Sequence, residues 1–212
     1  MRVLITGAAG FLGWHTRLRL HAQNQHEVSV ATRENWADLT RLVADADAVI
    51  HVAGINRGED SEIEEGNIQL AQDVADAVTA TARPVRLVYA NSIQSGNGTA
   101  YGTGKERAGG VLRGLQHSGN TVVDVRLPNI FGEHGRPRYN SFVATFVHAV
   151  AAGEEPQVTD RQVDLLHVQD AAQALIDGLT TDAPRLDPLG APVGVGEVLA
   201  LLQDFRASYA TG

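Results

Sequence analysis

Three side chains carry the first chemistry this sequence suggests. Tyr101 and Lys105 stand four residues apart in a stretch with helical patterning, so both face one side of a helix. A free phenol titrates near ~10 and is a poor acid–base catalyst at neutral pH. Lowering that value by ~3 units takes about 4 kcal/mol, and a nearby ammonium is the kind of group that supplies it. Ser92 closes an apolar run just before that helix, where its hydroxyl can donate a hydrogen bond to a reacting carbonyl oxygen. A Tyr-x-x-x-Lys pair alone is weak, because such pairs are common on solvated helix faces; its meaning depends on what precedes it.

What precedes it is a glycine turn. Thr6-Gly7-Ala8-Ala9-Gly10-Phe11-Leu12-Gly13 follows the first apolar run directly and opens a helical stretch. Small residues let backbone approach a pyrophosphate, the unpaired N–H groups of a helix start point at its oxygens, and Gly13 permits close helix–strand packing. Gly7, Gly10, Phe11, Leu12 and Gly13 are thus candidate cofactor ligands. A ligand-free strand–helix turn is the plain alternative; the position at the first strand of a βαβ unit favours the dinucleotide. The next β-rich run ends in Ala31-Thr32-Arg33. No carboxylate stands there to accept from a ribose 2′-OH or repel a 2′-phosphate, and Arg33 can pair with that phosphate, so NADPH is expected over NADH. With a dinucleotide in place, Lys105 also gains a role in holding the nicotinamide ribose.

Elements must position these groups. Apolar β-rich runs at 2–6, 27–32, 48–53, 85–90 and 122–127 alternate with helical patterns at 11–21, 36–44, 63–81 and 101–117. Continuous apolar strands alternating with helices indicate an α/β fold, a doubly wound parallel sheet of the Rossmann type. After Pro128 the rhythm changes. A Gly-, Arg- and Pro-rich loop leads to a helix at 141–152, a strand at 163–168, and helices at 170–179 and 196–207, with Asp170 read as a helix cap. The segment 180–195 holds three of the seven prolines and reads as a linker or surface crossing. The expected organisation is a dinucleotide-binding domain over 1–128 and a small substrate lobe over 129–212.

Composition narrows the field. The chain of 212 residues has room for one full core with a small second lobe, and its 43% hydrophobic content excludes disorder. With no cysteine there is no disulfide framework and no thiol nucleophile. The eight histidines show no carboxylate pairing in zinc-binding order, so no metal is expected. A net charge of -8 argues against nucleic-acid binding. No apolar run approaches the ~18 residues of a spanning helix, and the first apolar stretch stops at the glycine turn, leaving no room for a signal peptide. A soluble, cytoplasmic protein away from the membrane is the expectation.

Together, T-G-x-x-G-x-x-G, the Ser92 strand end and Tyr101-x-x-x-Lys105 resemble the extended short-chain dehydrogenase/reductase family of nucleotide-sugar epimerases, dehydratases and reductases. His51-Val52-Ala53-Gly54 and Asn67 match its adenine-side strand and long-helix asparagine, which adds Val52, Ala53, Gly54 and Asn67 to the implied cofactor contacts. Within the family, the chain is most similar to the reductase half of CapF-type capsular polysaccharide enzymes. The likeness rests on His51–Arg57, Asn91-Ser-Ile-Gln94, Arg126–Gly132, Tyr139–Phe146 and Gly196–Arg206. It covers nearly the whole chain, although the metal-binding cupin-like half of such enzymes is absent. It implies NADPH-dependent reduction of a 4-keto sugar on a nucleotide carrier, and a homodimer formed through the Tyr101 helix and the 63–81 helix.

Residue types refine the reaction. Family dehydratases carry an acidic pair after the strand-end Ser or Thr; here Ile93 and Gln94 stand there, and neither titrates. Reduction needs only a hydride, a proton from Tyr101 and a polariser in Ser92. Gln94, Asn129, Arg136, Arg138, Tyr139 and Asn140 are the expected substrate contacts. Arg161 stands in for the family arginine whose usual place is taken by Val163. Two other readings stay open: a C4 epimerase that retains NAD, and a non-catalytic NADP-binding module. The length, about a hundred residues below the ~300 expected of an extended member, implies an incomplete substrate lobe or a separate partner such as a sugar epimerase.

Overall fold

The computed structural model describes residues 1–159 and 161–210. In chain order its elements are β1 (Arg2–Thr6), α1 (Phe11–Gln23), β2 (Glu27–Ala31), α2 (Leu39–Ala44) after a 3-10 turn, β3 (Ala48–His51), α3 (Asp60–Ala80), β4 (Arg86–Ser92), α4 (Ala100–Gly114) and β5 (Thr121–Leu127). There follow β6 (Asn129–Phe131), α5 (Phe142–Ala152), β7 (Gln162–His167), α6 (Val168–Asp177), β8 (Arg185–Leu186), β9 (Ala191–Gly194) and α7 (Val195–Ala210). The expected α/β class is the one found.

Six strands form a parallel sheet in the order β2-β1-β3-β4-β5-β8. The continuous apolar runs are the reason. Val3, Leu4, Ile5, Val49, Ile50, Leu87, Val88 and Val123 are fully shielded, as a sheet covered on both faces requires. On one face Leu4, Val49, Leu87 and Tyr89 pack under α2, α3 and α4 through Val43, Val74, Val78, Ala108 and Leu112. On the other, α1 and α6 lie side by side, joined by Arg19–Gln173 and His15–Gln169 hydrogen bonds, and Gly178 approaches Val88 closely.

Two compact units result, one of 1–127 with 169–188 and one of 128–168 with the chain from Leu189 onward. The expected single break near 128 is therefore interleaved: α6 and β8 return to the first unit because α6 is apolar on its sheet-facing side and β8 pairs with β5. The second unit has its own three-stranded sheet, β6 and β7 parallel, β7 and β9 antiparallel. The linker expected over 180–195 is corrected, since it contains β8 and β9. Both are short edge strands, and Pro192 within β9 sits where a sheet tolerates a missing N–H donor. The Asp170 cap is corrected as well: α6 starts at Val168, and Asp170 lies in its first turn, where a carboxylate complements the helix dipole.

Candidate active site

The glycine turn is sterically obligatory. Gly7 has φ +68, and a Cβ there would lie 2.6 Å from the Ala53 nitrogen, so β1 and the chain after β3 can meet only over a bare backbone. A Cβ on Gly13 would overlap the Gly7 carbonyl oxygen. Gly10 is the N-cap of α1 with no side-chain cap, leaving the N–H groups of the first turn, Phe11 to Gly13, without that partner. A dinucleotide phosphate fits this cradle: small walls, free donors and the positive end of a helix dipole.

Around it runs a buried polar set. The register places Thr6 beside His51. Thr6 Oγ1 accepts from the Ala53 N–H at 3.2 Å and meets His51 Nδ1 at 2.7 Å. Burial, aided by the Lys105 charge, pulls His51 down to about 3, so its ring is neutral and holds the strand ends together. Asn67 on α3 is 3% exposed; it accepts from the Ile55 N–H and donates to the Ile55 and Ile63 carbonyls. Its amide thus fixes the loop bearing Val52, Ala53 and Gly54, and a Cβ on Gly54 would come 3.0 Å from Asn67 Oδ1.

Ser92, Tyr101 and Lys105 are brought together at the carboxyl end of β4 and the first turns of α4. Ser92 ends β4 and its Oγ accepts from the Gln94 N–H at 3.1 Å. Thr99 caps α4 by accepting from the Gly102 N–H, and Asn97 in turn accepts from Thr99, which starts a glycine-rich helix at a defined place. Lys105 is 4% exposed; its Nζ donates to the Ala90 carbonyl at 2.7 Å and lies 4.5 Å above the Tyr89 ring. Burial draws it down to about 8, against the pull of Asp124.

The expectation that Lys105 pulls the Tyr101 phenol down is corrected. Burial lifts the phenol above its ordinary 10.0, opposed only by hydrogen bonding to Ser92. The ammonium is turned toward Ala90 and Tyr89, so it does not set the direction. The phenol is therefore held protonated, which suits an acid rather than a base.

Residues 3–185 match the NAD dependent epimerase/dehydratase family. The chain belongs to that family. It is 34% identical over 98% of its length to the UDP-2-acetamido-2,6-beta-L-arabino-hexul-4-ose reductase of Pseudomonas aeruginosa, of which it covers 58%. The crystal structure of the capsular polysaccharide assembling protein CapF from Staphylococcus aureus superimposes with a TM-score of 0.85 at 32% identity, over 98% of this chain and 59% of that one. A Thermus thermophilus UDP-glucose 4-epimerase, solved with NAD, shares the fold (TM-score 0.82, 22% identity, 98% and 84% covered). The chain thus spans about three fifths of the length of the reductase and of CapF. The six-stranded parallel sheet with helices on both faces is the Rossmann fold of that family.

Other family positions fall as follows. Arg33 is exposed just beyond β2, on a loop that Asn35 shapes by accepting from Thr32 and donating to the Val30 carbonyl. Gln94 is exposed in the turn after β4. The remaining expected substrate contacts lie in the second unit. Asn129 on β6 donates to the Asp164 carbonyl at 3.3 Å, Arg136 sits 5.4 Å over the Tyr139 ring, and Arg138 pairs with Glu154 at 3.0 Å. Asn140 is exposed, and Arg161 is exposed one residue before β7. Among the described residues no cluster of His, Asp or Glu could hold a metal ion, and no helix is long and apolar enough to cross a membrane.

Sequence reasoning named Thr6 and His51 only within their motifs, without a role for either side chain, and missed Tyr89 and Asn35 as site-shaping residues. The signal for Thr6 and His51 was a polar residue at the inner end of an otherwise apolar strand. Asn35, two residues after Arg33, is of a type that favours turns by bonding nearby backbone.

Proposed function

We propose that this protein is an NADPH-dependent ketoreductase acting on the 4-keto group of a deoxy nucleotide sugar carried on UDP or dTDP. The observation that carries the reading is the meeting of Ser92 and a protonated, half-buried Tyr101 at the carboxyl end of β4, on the helix that also bears Lys105. Gly7, Gly10, Phe11, Leu12 and Gly13 would hold the pyrophosphate, Val52, Ala53 and Gly54 the adenosine side, and Arg33 the 2′-phosphate. When bound, the cofactor supplies a hydride to the ketone carbon.

Ser92 donates to the ketone oxygen and polarises it. Tyr101 gives that oxygen its proton as negative charge develops there, so ketone becomes alcohol and the phenol is left as phenolate for solvent to reprotonate. Lys105, buried and charged below about pH 8, anchors the ribose. Ile93 and Gln94 offer no acid–base pair for elimination. Gln94, Asn129, Arg136, Arg138, Tyr139, Asn140 and Arg161 are the proposed substrate contacts, and pairing of two copies through α3 and α4 belongs to the same proposal.

The test is NADPH oxidation with 4-keto-6-deoxy sugar nucleotides, with and without an added metal-binding epimerase. One NADPH consumed per alcohol formed is expected. An oxidised nicotinamide that copurifies, with C4 epimers interconverted and no net NADPH consumption, would replace the reading with an epimerase. Light scattering of the purified chain tests the dimer.

A further inference from the structure

Between α4 and the β4–β5–β8 side of the sheet lies a cleft of about 210 Å³ within the first unit, apart from the Ser92–Tyr101–Lys105 set. Its walls are the guanidinium groups of Arg113, Arg126 and Arg185, the carboxylates of Glu106 and Asp124, and the amide of Asn91. The strand register explains the gathering: Asn91 pairs with Arg126 and Asp124 with Arg185, so period two turns all four to one face. Gly109 of α4 keeps the wall thin, since a Cβ there would stand 3.0 Å from Arg113 Nη1 and 3.6 Å from Asn91 Nδ2.

Hydrogen bonding in this cleft is incomplete. Arg113 meets Asp124 Oδ2 only at 3.5 Å, and Arg185 is engaged by Asp187 at 2.6 Å. Arg126 Nη2 donates to the Ser95 carbonyl at 3.4 Å, while its Nε, shielded from solvent, has no partner among the described residues. Asp124 is 9% exposed, and its Oδ1 likewise has none. A buried donor and a buried acceptor therefore stand unpaired in one cleft, a condition that native structures normally resolve with a ligand or water.

We propose that this cleft binds a phosphate group that retains one proton. Its P–O oxygens accept from Arg126, with Arg113 and Arg185 supplying charge, and its P–OH donates to Asp124. Fully deprotonated oxyanions have no donor to offer and meet the Asp124 and Glu106 carboxylates as like charges. Selection of phosphate over sulfate follows.

Calorimetric titration of the full chain at pH 6 and matched ionic strength tests this, with inorganic phosphate, methyl phosphate and sulfate as probes. Saturable phosphate binding is expected, with sulfate at least tenfold weaker. Tighter methyl phosphate assigns the cleft to a phosphomonoester, and tighter inorganic phosphate assigns it to the free ion. Arg126→Gln should abolish binding, Asp124→Asn should remove the discrimination, and the exposed Arg185→Gln should weaken phosphate about tenfold in a chain that still folds. Absence of saturable phosphate binding, equal affinity for sulfate, or unchanged binding in Arg185→Gln overturns the proposal; the last outcome places the anion elsewhere, as at the glycine turn.

Discussion

Most candidate residues at the strand ends of the first unit are held in close-packed backbone, with Arg33 and Gln94 exposed, whereas Arg136, Arg138, Tyr139 and Asn140 of the second stand on an exposed loop. Gly7, Gly13, Thr6, His51, Asn67 and Lys105 each have a neighbour within contact or hydrogen-bond distance that fixes their place. Arg136, Arg138, Tyr139 and Asn140 are exposed, and two residues of that loop, His134 and Arg138, hold positive φ. Proton transfer requires sub-ångström placement and so draws on strand ends; recognition of a varied sugar tolerates side chains on a loop.

The comparison breaks or sharpens on substitutions, beginning with the largest effect. Tyr101→Phe should lower kcat by about 10²–10⁴-fold while the dissociation constant for NADPH changes less than about threefold; wild-type turnover would falsify the acid assignment. Gly13→Ala, which forces a Cβ onto the Gly7 carbonyl, should lose about 2–3 kcal/mol of stability in urea unfolding, together with cofactor binding. Arg33→Ala should weaken NADPH, but not NADH, by about ten- to hundredfold, read by fluorescence titration.

A pH titration of stability reaches the buried histidine. The folded value of His51, about 3, lies below its ordinary 6.5, so between those values the unfolded chain binds the extra proton. Stability contributed by the neutral ring is complete above about 6.5 and declines by about 1.4 kcal/mol per unit as pH falls toward 3. His51→Asn should flatten that limb, and an unchanged acid slope would show that other groups dominate it. The smallest effect belongs to the second unit. Arg138→Ala removes an exposed ion pair and should change stability by less than about 1 kcal/mol, with KM rather than kcat responding if the loop contacts substrate. A stability loss matching that of Gly13→Ala would erase the distinction between the units.

Much of the first unit was legible because its signals are local. Apolar strands, the glycine spacing and the Tyr101–Lys105 interval each read within a few residues. The glycines of α4 are poor helix formers that close packing requires: an added Cβ at Gly102 would meet Asn97 and the Gln94 carbonyl, at Gly104 the backbone of Glu64, and at Gly109 the side chains of Arg113 and Asn91. The strands β8 and β9 escaped because two- and four-residue edges among prolines carry no detectable period. Their pairing is decided by distant partners.

The sequence by itself determined the fold class, the glycine turn, and the identity and order of Ser92, Tyr101 and Lys105, since each depends on residue type and short spacing. Tertiary structure alone decided where the Lys105 ammonium points, which way the Tyr101 phenol shifts, and that Asp124 and Arg126 share a cleft with Arg185. Those outcomes depend on desolvation and on register between strands far apart in the chain, and neither quantity is encoded in any local window.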